Sequence, residues 1–412
     1  MRYLAAAILI LIPIGSGLAE AAGQPVGCTS MRDNFLREGS EADQSVFLGL
    51  PTIEHPDDNP PSLAKLELGR KLFLDRRLSA NGTMACATCH LPEQAFVNRE
   101  MQTAVGVEGR SGRRNSPTLL NSAYLTTLFH DGREISLETQ FIAPLLARNE
   151  MANPSIGYVI ENLRSFEDYD GLFETAFGGS ASIEKMGQAL AVFQRSLVAG
   201  NSPFDQWYFG GNDDAVSNSV KNGFELFSGA AGCSNCHSLH QTHAMFTDNR
   251  FHNIGYGWMR EQDRHKGERT VNVQVAPGVH YEVSSSVIES VGEGRQADLG
   301  RYEVTQNPKH LWQFRTPSLR NVGATAPYMH DGGLSTLADV IDFYDKGGAR
   351  HALLSPWVRP LHLTAEDKDN LEAFLNSLTS ENLDCLEVYA RSGLIDGNRP
   401  QVAPSLGTTR EP

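Results

Sequence analysis

The sequence predicts a mainly α-helical protein in which one domain occurs twice, and three observations carry that expectation. The first is an internal repeat. Ser116-Pro117-Thr118-Leu119, Asn121 and His130-Asp131-Gly132 return 200 positions later as Thr316-Pro317-Ser318-Leu319, Asn321 and His330-Asp331-Gly332. Upstream of these, Gly69-Arg70-Lys71-Leu72-Phe73 returns as Gly223-Phe224-Glu225-Leu226-Phe227. The second is periodicity: Leu371, Phe374, Leu375 and Leu378 follow the i, i+3, i+4, i+7 pattern of a helix face, with Thr364 placed as N-cap before Asp367, and Glu184 to Leu197 reads the same way. The third is size, since 412 residues suffice for two domains of ordinary dimensions, each burying its own core.

Taken in order, the elements begin with an expected signal peptide over residues 1–22. Met1-Arg2-Tyr3 is followed by an apolar run from Leu4 to Pro13 and by small residues around Ala19 and Ala22, the three parts of an export signal. The run is too short to span a bilayer, so the mature protein is expected in the periplasm, cleaved near Ala19 to Ala22. Cys28, behind Pro25-Val26-Gly27, lies too far on to read as a lipid-anchor cysteine. The two domains are expected over 45–205 and 206–385. Strand signals are sparse, except that Val271, Val273 and Val275, then Ala276-Pro277-Gly278, then Val279, Tyr281 and Val283 read as a β-hairpin inserted in the second copy between Trp258 and Asp298. The tail from 397 to 412 is expected to be flexible. A net charge of −14 and the absence of a Lys/Arg run exclude a typical nucleic-acid binder and suit a basic or small neutral partner.

Four of the six cysteines fall in two Cys-X-X-Cys-His motifs, Cys86, Cys89, His90 and Cys233, Cys236, His237. Covalent attachment of a c-type haem needs two thiols for the vinyl groups and an adjacent histidine for the iron, and this motif supplies all three. A zinc site would use the same thiolates but leaves the fixed histidine unexplained; a redox Cys-X-X-Cys pair leaves it without a role. Two haem c groups are therefore expected. The remaining Cys28 and Cys385 either pair, tying the chain ends together in an oxidising compartment, or are two unrelated buried thiols.

The second axial position of each iron decides between catalysis and simple electron transfer. The repeat sets Pro144 of the first copy against Tyr344 of the second. Proline has no donor atom. Tyr344 shares a helical face with Leu337, Val340 and Ile341, so it is either a ligand or core. Near Pro144 stand Gln140 and Glu150, and a partly buried Glu suits the proton exchange that O–O cleavage requires; each is otherwise an ordinary helix-face residue.

From about Pro51 to Ser380 the chain resembles the bacterial dihaem cytochrome c peroxidase and MauG superfamily. The resemblance rests on Leu68-Gly69-Arg70-Lys71-Leu72-Phe73-Leu74-Asp75, both haem motifs, Asn115-Ser116-Pro117-Thr118, Leu299-Gly300-Arg301-Tyr302, Thr316 to Val322 and Ala326 to Gly332. It implies two cytochrome-c-like domains with the peroxide-reacting haem in the first. His90 would be its proximal ligand, and Gln140, Pro144 and Glu150 would line its distal pocket. His237 would hold the electron-transfer haem. A calcium ion would lie between the domains on Asn115 and the carbonyls of Thr325 and Pro327, oxygen donors that suit a hard cation.

Three positions depart from the ordinary peroxidase pattern. Tyr344 stands where those members place methionine and MauG-type members place tyrosine, which favours an axial phenolate that stabilises oxidised iron. Val107 aligns with a histidine that blocks the first iron in many members, so that haem is expected to be open without reductive activation. His130 stands where a tryptophan often relays electrons, and is either a bridge between the haems or structural like His330. The leading expectation is a dihaem peroxidase reducing hydrogen peroxide with electrons from a small c-type cytochrome or cupredoxin. A MauG-like enzyme oxidising a residue of a partner protein and a non-catalytic electron carrier are the alternatives.

Overall fold

Serine caps start the helices that define the first half. The computed structural model describes residues 35–36, 47–264, 270–276, 279–287 and 297–391; the expected signal segment 1–22, Cys28 and the tail 397–412 lie outside them. Helix α1 (Leu63–Leu74) begins where the Ser62 side chain accepts from the Lys65 N–H, and it buries Leu66, Leu72 and Phe73. Two short helices follow, α2 (Leu137–Gln140) and α3 (Ile142–Leu146), then α4 (Ile156–Arg164) and α5 (Ile183–Arg195), the last two capped by Ser155 and Ser182. Helix α1 crosses α5 so closely that a Cβ on Gly69 would lie 2.0 Å from the Ala189 carbonyl oxygen, a contact only glycine permits.

The second half repeats this device. The short helix α6 (Pro203–Tyr208) leads into α7 (Asn218–Ser228) and α8 (Tyr256–Arg264), followed by α9 (Leu337–Asp345), α10 (Ala365–Asn376) and α11 (Leu383–Arg391). Thr364 and Asp367 cap α10 reciprocally, and Leu371 and Phe374 are buried on its inner face. Where α7 crosses α10, a Cβ on Gly223 would lie 2.0 Å from the Asn370 carbonyl oxygen, the same approach as at Gly69. Asn121 and Asn321 both adopt a left-handed conformation with φ of 60°, and their N–H groups donate to Leu197 and Leu378 respectively.

Strand is scarce. β1 (Phe251–His252) pairs with β4 (Phe314–Arg315), while β2 (Thr270–Ala276) and β3 (Val279–Ser284) run antiparallel with Val273 opposite Tyr281. One core gathers Leu66, Phe73, Phe96, Met186 and Phe193, and α11 adds Leu386 and Ala390 to it. The other gathers Phe204, Phe227, Phe246 and Phe374. The expected division between 205 and 206 therefore falls inside α6, whose Phe204 already belongs to the second core, and the last helix packs back on the first. Cys385 on α11 is disulfide-bonded; its expected partner, Cys28, lies outside the described residues.

The halves meet through matched contacts. The Asn115 N–H donates to the His330 carbonyl at 2.8 Å, and 200 positions on, the Arg315 N–H donates to the His130 carbonyl at 2.8 Å. Arg114 joins Asp131 and Asp298, each at 2.7 Å. Inside the second half, Arg320 pairs with Asp205 of α6 at 2.8 Å, with the two side chains 1% and 0% exposed. Among the described residues, no helix is long and apolar enough to cross a membrane.

Candidate active site

A single turn over Cys86–Cys89 closes when the His90 N–H donates to the Cys86 carbonyl at 3.0 Å, which gathers both thiols and the imidazole on one wall of a cavity. His90 Nδ1 lies 3.2 Å from the Phe96 carbonyl oxygen. A carbonyl can only accept, so Nδ1 carries the proton and Nε2 keeps the lone pair a metal needs. Burial holds the ring below its ordinary pKa, and therefore neutral. The thiols are pushed up by burial, Cys86 to about 12 and Cys89 to about 11.

The cavity brings His90 together with Gln140, Pro144 and Glu150. Its other walls are largely apolar, including Phe73, Phe141 and Leu190 and the thioethers Met84, Met151 and Met186. Pro144 sits in the first turn of α3, where its missing N–H is tolerated. Its carbonyl accepts from the Met151 N–H at 3.1 Å, while the Glu150 N–H donates to Ala147 at 3.0 Å, so one tight turn brings Pro144 and Glu150 to the same cavity. Asn153 locks that turn from behind, its amide donating to the carbonyls of Leu78 and Leu145.

Burial raises the Glu150 carboxyl above its ordinary value, and the positive charge of Arg133 partly opposes the shift. The loop carrying Val107 rests on the same residue. The Val107 N–H donates to the Glu150 carbonyl at 2.8 Å, and a Cβ on Gly106 would stand 2.4 Å from that oxygen. Gln140 Nε2 donates to Gln194 Oε1 at 3.3 Å, and Gln194 lines the cavity too. Sequence reasoning missed Arg133, Gly106 and Gln194, because each reaches the site only through tertiary contact.

The second motif has the same local geometry. The His237 N–H donates to the Cys233 carbonyl at 2.9 Å, and His237 Nδ1 lies 2.8 Å from the Phe246 carbonyl oxygen. Tyr344, near the end of α9, is raised above the ordinary phenol value by burial and by the neighbouring Cys233 and Cys236 thiols, so the helix brings it to this motif. Asp248 and His252, 2.7 Å apart, adjoin Cys236 and were also missed; their i, i+4 spacing is the one local signal.

His130 does not reach the cavity. It is half-buried, with Nε2 3.1 Å from the Asn115 carbonyl oxygen, and desolvation together with Arg114 lowers its pKa to about 3, so it is neutral. Asn115 donates from its amide nitrogen to the Gln102 carbonyl, and its Oδ1 is the side-chain atom with lone pairs to offer.

Comparison with known proteins gives the family. The family model described as di-haem cytochrome c peroxidase matches residues 63–214. The chain is 37% identical to the cytochrome-c peroxidase IdrP1 of Pseudomonas sp. (strain SCT), over 84% of this chain and 89% of that one. The chain belongs to the dihaem cytochrome c peroxidase family. Within the family it is also 35% identical to the methylamine utilization protein MauG of Methylorubrum extorquens, over 80% of this chain and 82% of that one. A solved MauG-like protein associated with microbial copper homeostasis superposes with a TM-score of 0.66 at 30% identity, covering 81% of this chain and 95% of that chain.

Membership of the dihaem family implies two c-type haems, and the donors fit them. Each motif offers two thiols outside any disulfide and a neutral histidine whose Nδ1 is already engaged. The first also adjoins the cavity lined by Gln140, Pro144 and Glu150.

Proposed function

We propose that this protein is a periplasmic dihaem peroxidase that reduces hydrogen peroxide at the first site, and the observation that carries it is the cavity joining His90 to Gln140, Pro144 and Glu150. A haem held by Cys86, Cys89 and His90 would supply the iron and the electrons that peroxide reduction needs. The chain does the rest. His90 would hold the iron through Nε2, and Pro144 would offer it no ligand. Glu150, kept in a largely apolar wall with a raised affinity for its proton, accepts a proton from one peroxide oxygen and returns it to the other. Gln140, its amide anchored on Gln194, orients the incoming molecule.

At the second site His237 and Tyr344 would hold the other haem, which would supply or store the second oxidising equivalent. A calcium ion between the halves would take Asn115 Oδ1 and the carbonyls of Thr325 and Pro327. The donor proposed is a small basic c-type cytochrome or cupredoxin, matching the net charge of −14. A second reading, oxidation of a residue on a partner protein, is favoured by one observation, the placement of Tyr344 beside Cys233 and Cys236 in a chain 35% identical to MauG.

Absorption and electron paramagnetic resonance of the oxidised holoprotein, before and after one equivalent of peroxide, test the assignment. One high-spin and one low-spin haem are expected, with the high-spin signal consumed by peroxide. Glu150→Gln should slow that consumption by about 10²–10⁴-fold. Two low-spin haems would show that a cavity methionine or another side chain closes the first site, and would sink the proposal. Rapid turnover with a reduced cytochrome separates the peroxidase from the partner-oxidising reading.

A further inference from the structure

A run of rings leads from Tyr344 to the junction of the two halves, and its middle member has no part in the mechanism above. Tyr256, the first residue of α8, is 2% exposed. On one side its ring meets Phe343 edge-on, with centroids 5.5 Å apart, and Phe343 meets Tyr344 at 5.5 Å. On the other it meets His330 at 5.7 Å, and His330 stacks on Phe314 at 3.9 Å. The His330 carbonyl accepts from Asn115, whose own carbonyl engages His130, so the path ends between the halves.

Phenylalanine rings are hard to oxidise, and a neutral imidazole is little easier. A phenol gives up an electron readily once its proton has an acceptor nearby. Tyr256 has one. Its hydroxyl and the Asp331 carboxylate converge over Gly333, where an added Cβ would lie 2.1 Å from the hydroxyl oxygen and 2.9 Å from Asp331 Oδ1. The carboxylate is itself fixed: Arg260 Nε donates to Oδ2 at 2.6 Å and the Gly333 N–H donates to Oδ1 at 2.9 Å. Burial and the Asp331 charge hold the phenol above its ordinary pKa, so the proton stays on oxygen until an electron leaves.

We propose that Tyr256 is a relay residue that yields one electron to the peroxide-oxidised haem pair while its hydroxyl proton passes to Asp331. The Tyr256 O–H bond breaks, an O–H bond forms on Asp331, and a neutral phenoxyl is left beside a neutral carboxylic acid. An electron from the external donor, with return of that proton, restores the phenol. The inference rests on the peroxidase reading and extends it by placing an oxidising equivalent on the protein itself, in van der Waals sequence with Tyr344.

The test is freeze-quenched electron paramagnetic resonance of the holoenzyme after one equivalent of peroxide, prepared with ordinary and with ring-deuterated tyrosine. Wild type should show an organic radical whose hyperfine splitting narrows on deuteration. Tyr256→Phe, which keeps the ring contacts, should lose that signal while still consuming peroxide. Asp331→Asn should lower the radical yield, and in wild type heavy water should slow the radical's appearance, a readout that does not depend on the variant folding. An unchanged signal in Tyr256→Phe, or peroxide consumed by wild type with no tyrosyl radical, overturns the relay alone. A wild type that does not react with peroxide overturns the proposed function along with it.

Discussion

Glu150 is where the chemistry becomes a question of pH. Burial favours its protonated form, whereas proton acceptance needs the carboxylate, so the rate of peroxide consumption should fall on the acid side through a limb lying above ~4.3, the ordinary glutamate value. Arg133 is the positive charge that favours the carboxylate, and Arg133→Ala should move the limb to higher pH. A limb that stays put, or moves down, would show that another group controls it. His130 cannot be that group near neutrality, because with a pKa near 3 its ring is already neutral there. Gln140, Pro144 and Glu150 were legible in the sequence because the repeat pointed to residue 144 and its surroundings. Arg133 and Gln194 were not, since a charge or an amide acting through space leaves no periodic trace.

Elements decide how rigidly that residue is held. The loop around Val107 is bonded to the Glu150 backbone and cannot accept a side chain at Gly106, where a Cβ would meet Asn149 and Glu150 backbone atoms at 2.3 to 2.5 Å. Gly106→Ala should therefore push the two segments apart, cost about 1–3 kcal/mol of stability in thermal unfolding, and slow peroxide consumption through displacement of Glu150. Full activity at normal stability would refute that anchoring. Helix α10 was readable residue by residue, from Thr364 as cap to the buried Leu371 and Phe374, because an amphipathic surface helix writes its contacts into its own period. The division at 205 and 206 was not: α6 carries no repeat marker, and only its packing assigns Phe204 to the second core.

At the scale of the molecule, an ion pair that water does not reach fixes α6 to the rest of the second half. Asp205 and Arg320 are both essentially inaccessible, and Arg320 also donates to the Ala244 carbonyl at 2.6 Å. Asp205→Asn leaves a buried guanidinium without its counter-charge and should cost about 3–5 kcal/mol, measured by denaturant unfolding of the holoprotein; a loss under 1 kcal/mol, the scale of a surface pair, would mean that the pair opens to solvent. The 200-residue offset between matching motifs was plain in the sequence, but how the two halves face each other was not, because offsets in numbering say nothing about orientation. The paired bonds 115 to 330 and 315 to 130 supply that orientation. They are isologous, the contact two separate and identical subunits make about a two-fold axis. A symmetric dimer must carry the same side chain at both of its equivalent sites. Joining the halves in one polypeptide releases that constraint, which leaves position 144 free to be proline while position 344 is tyrosine.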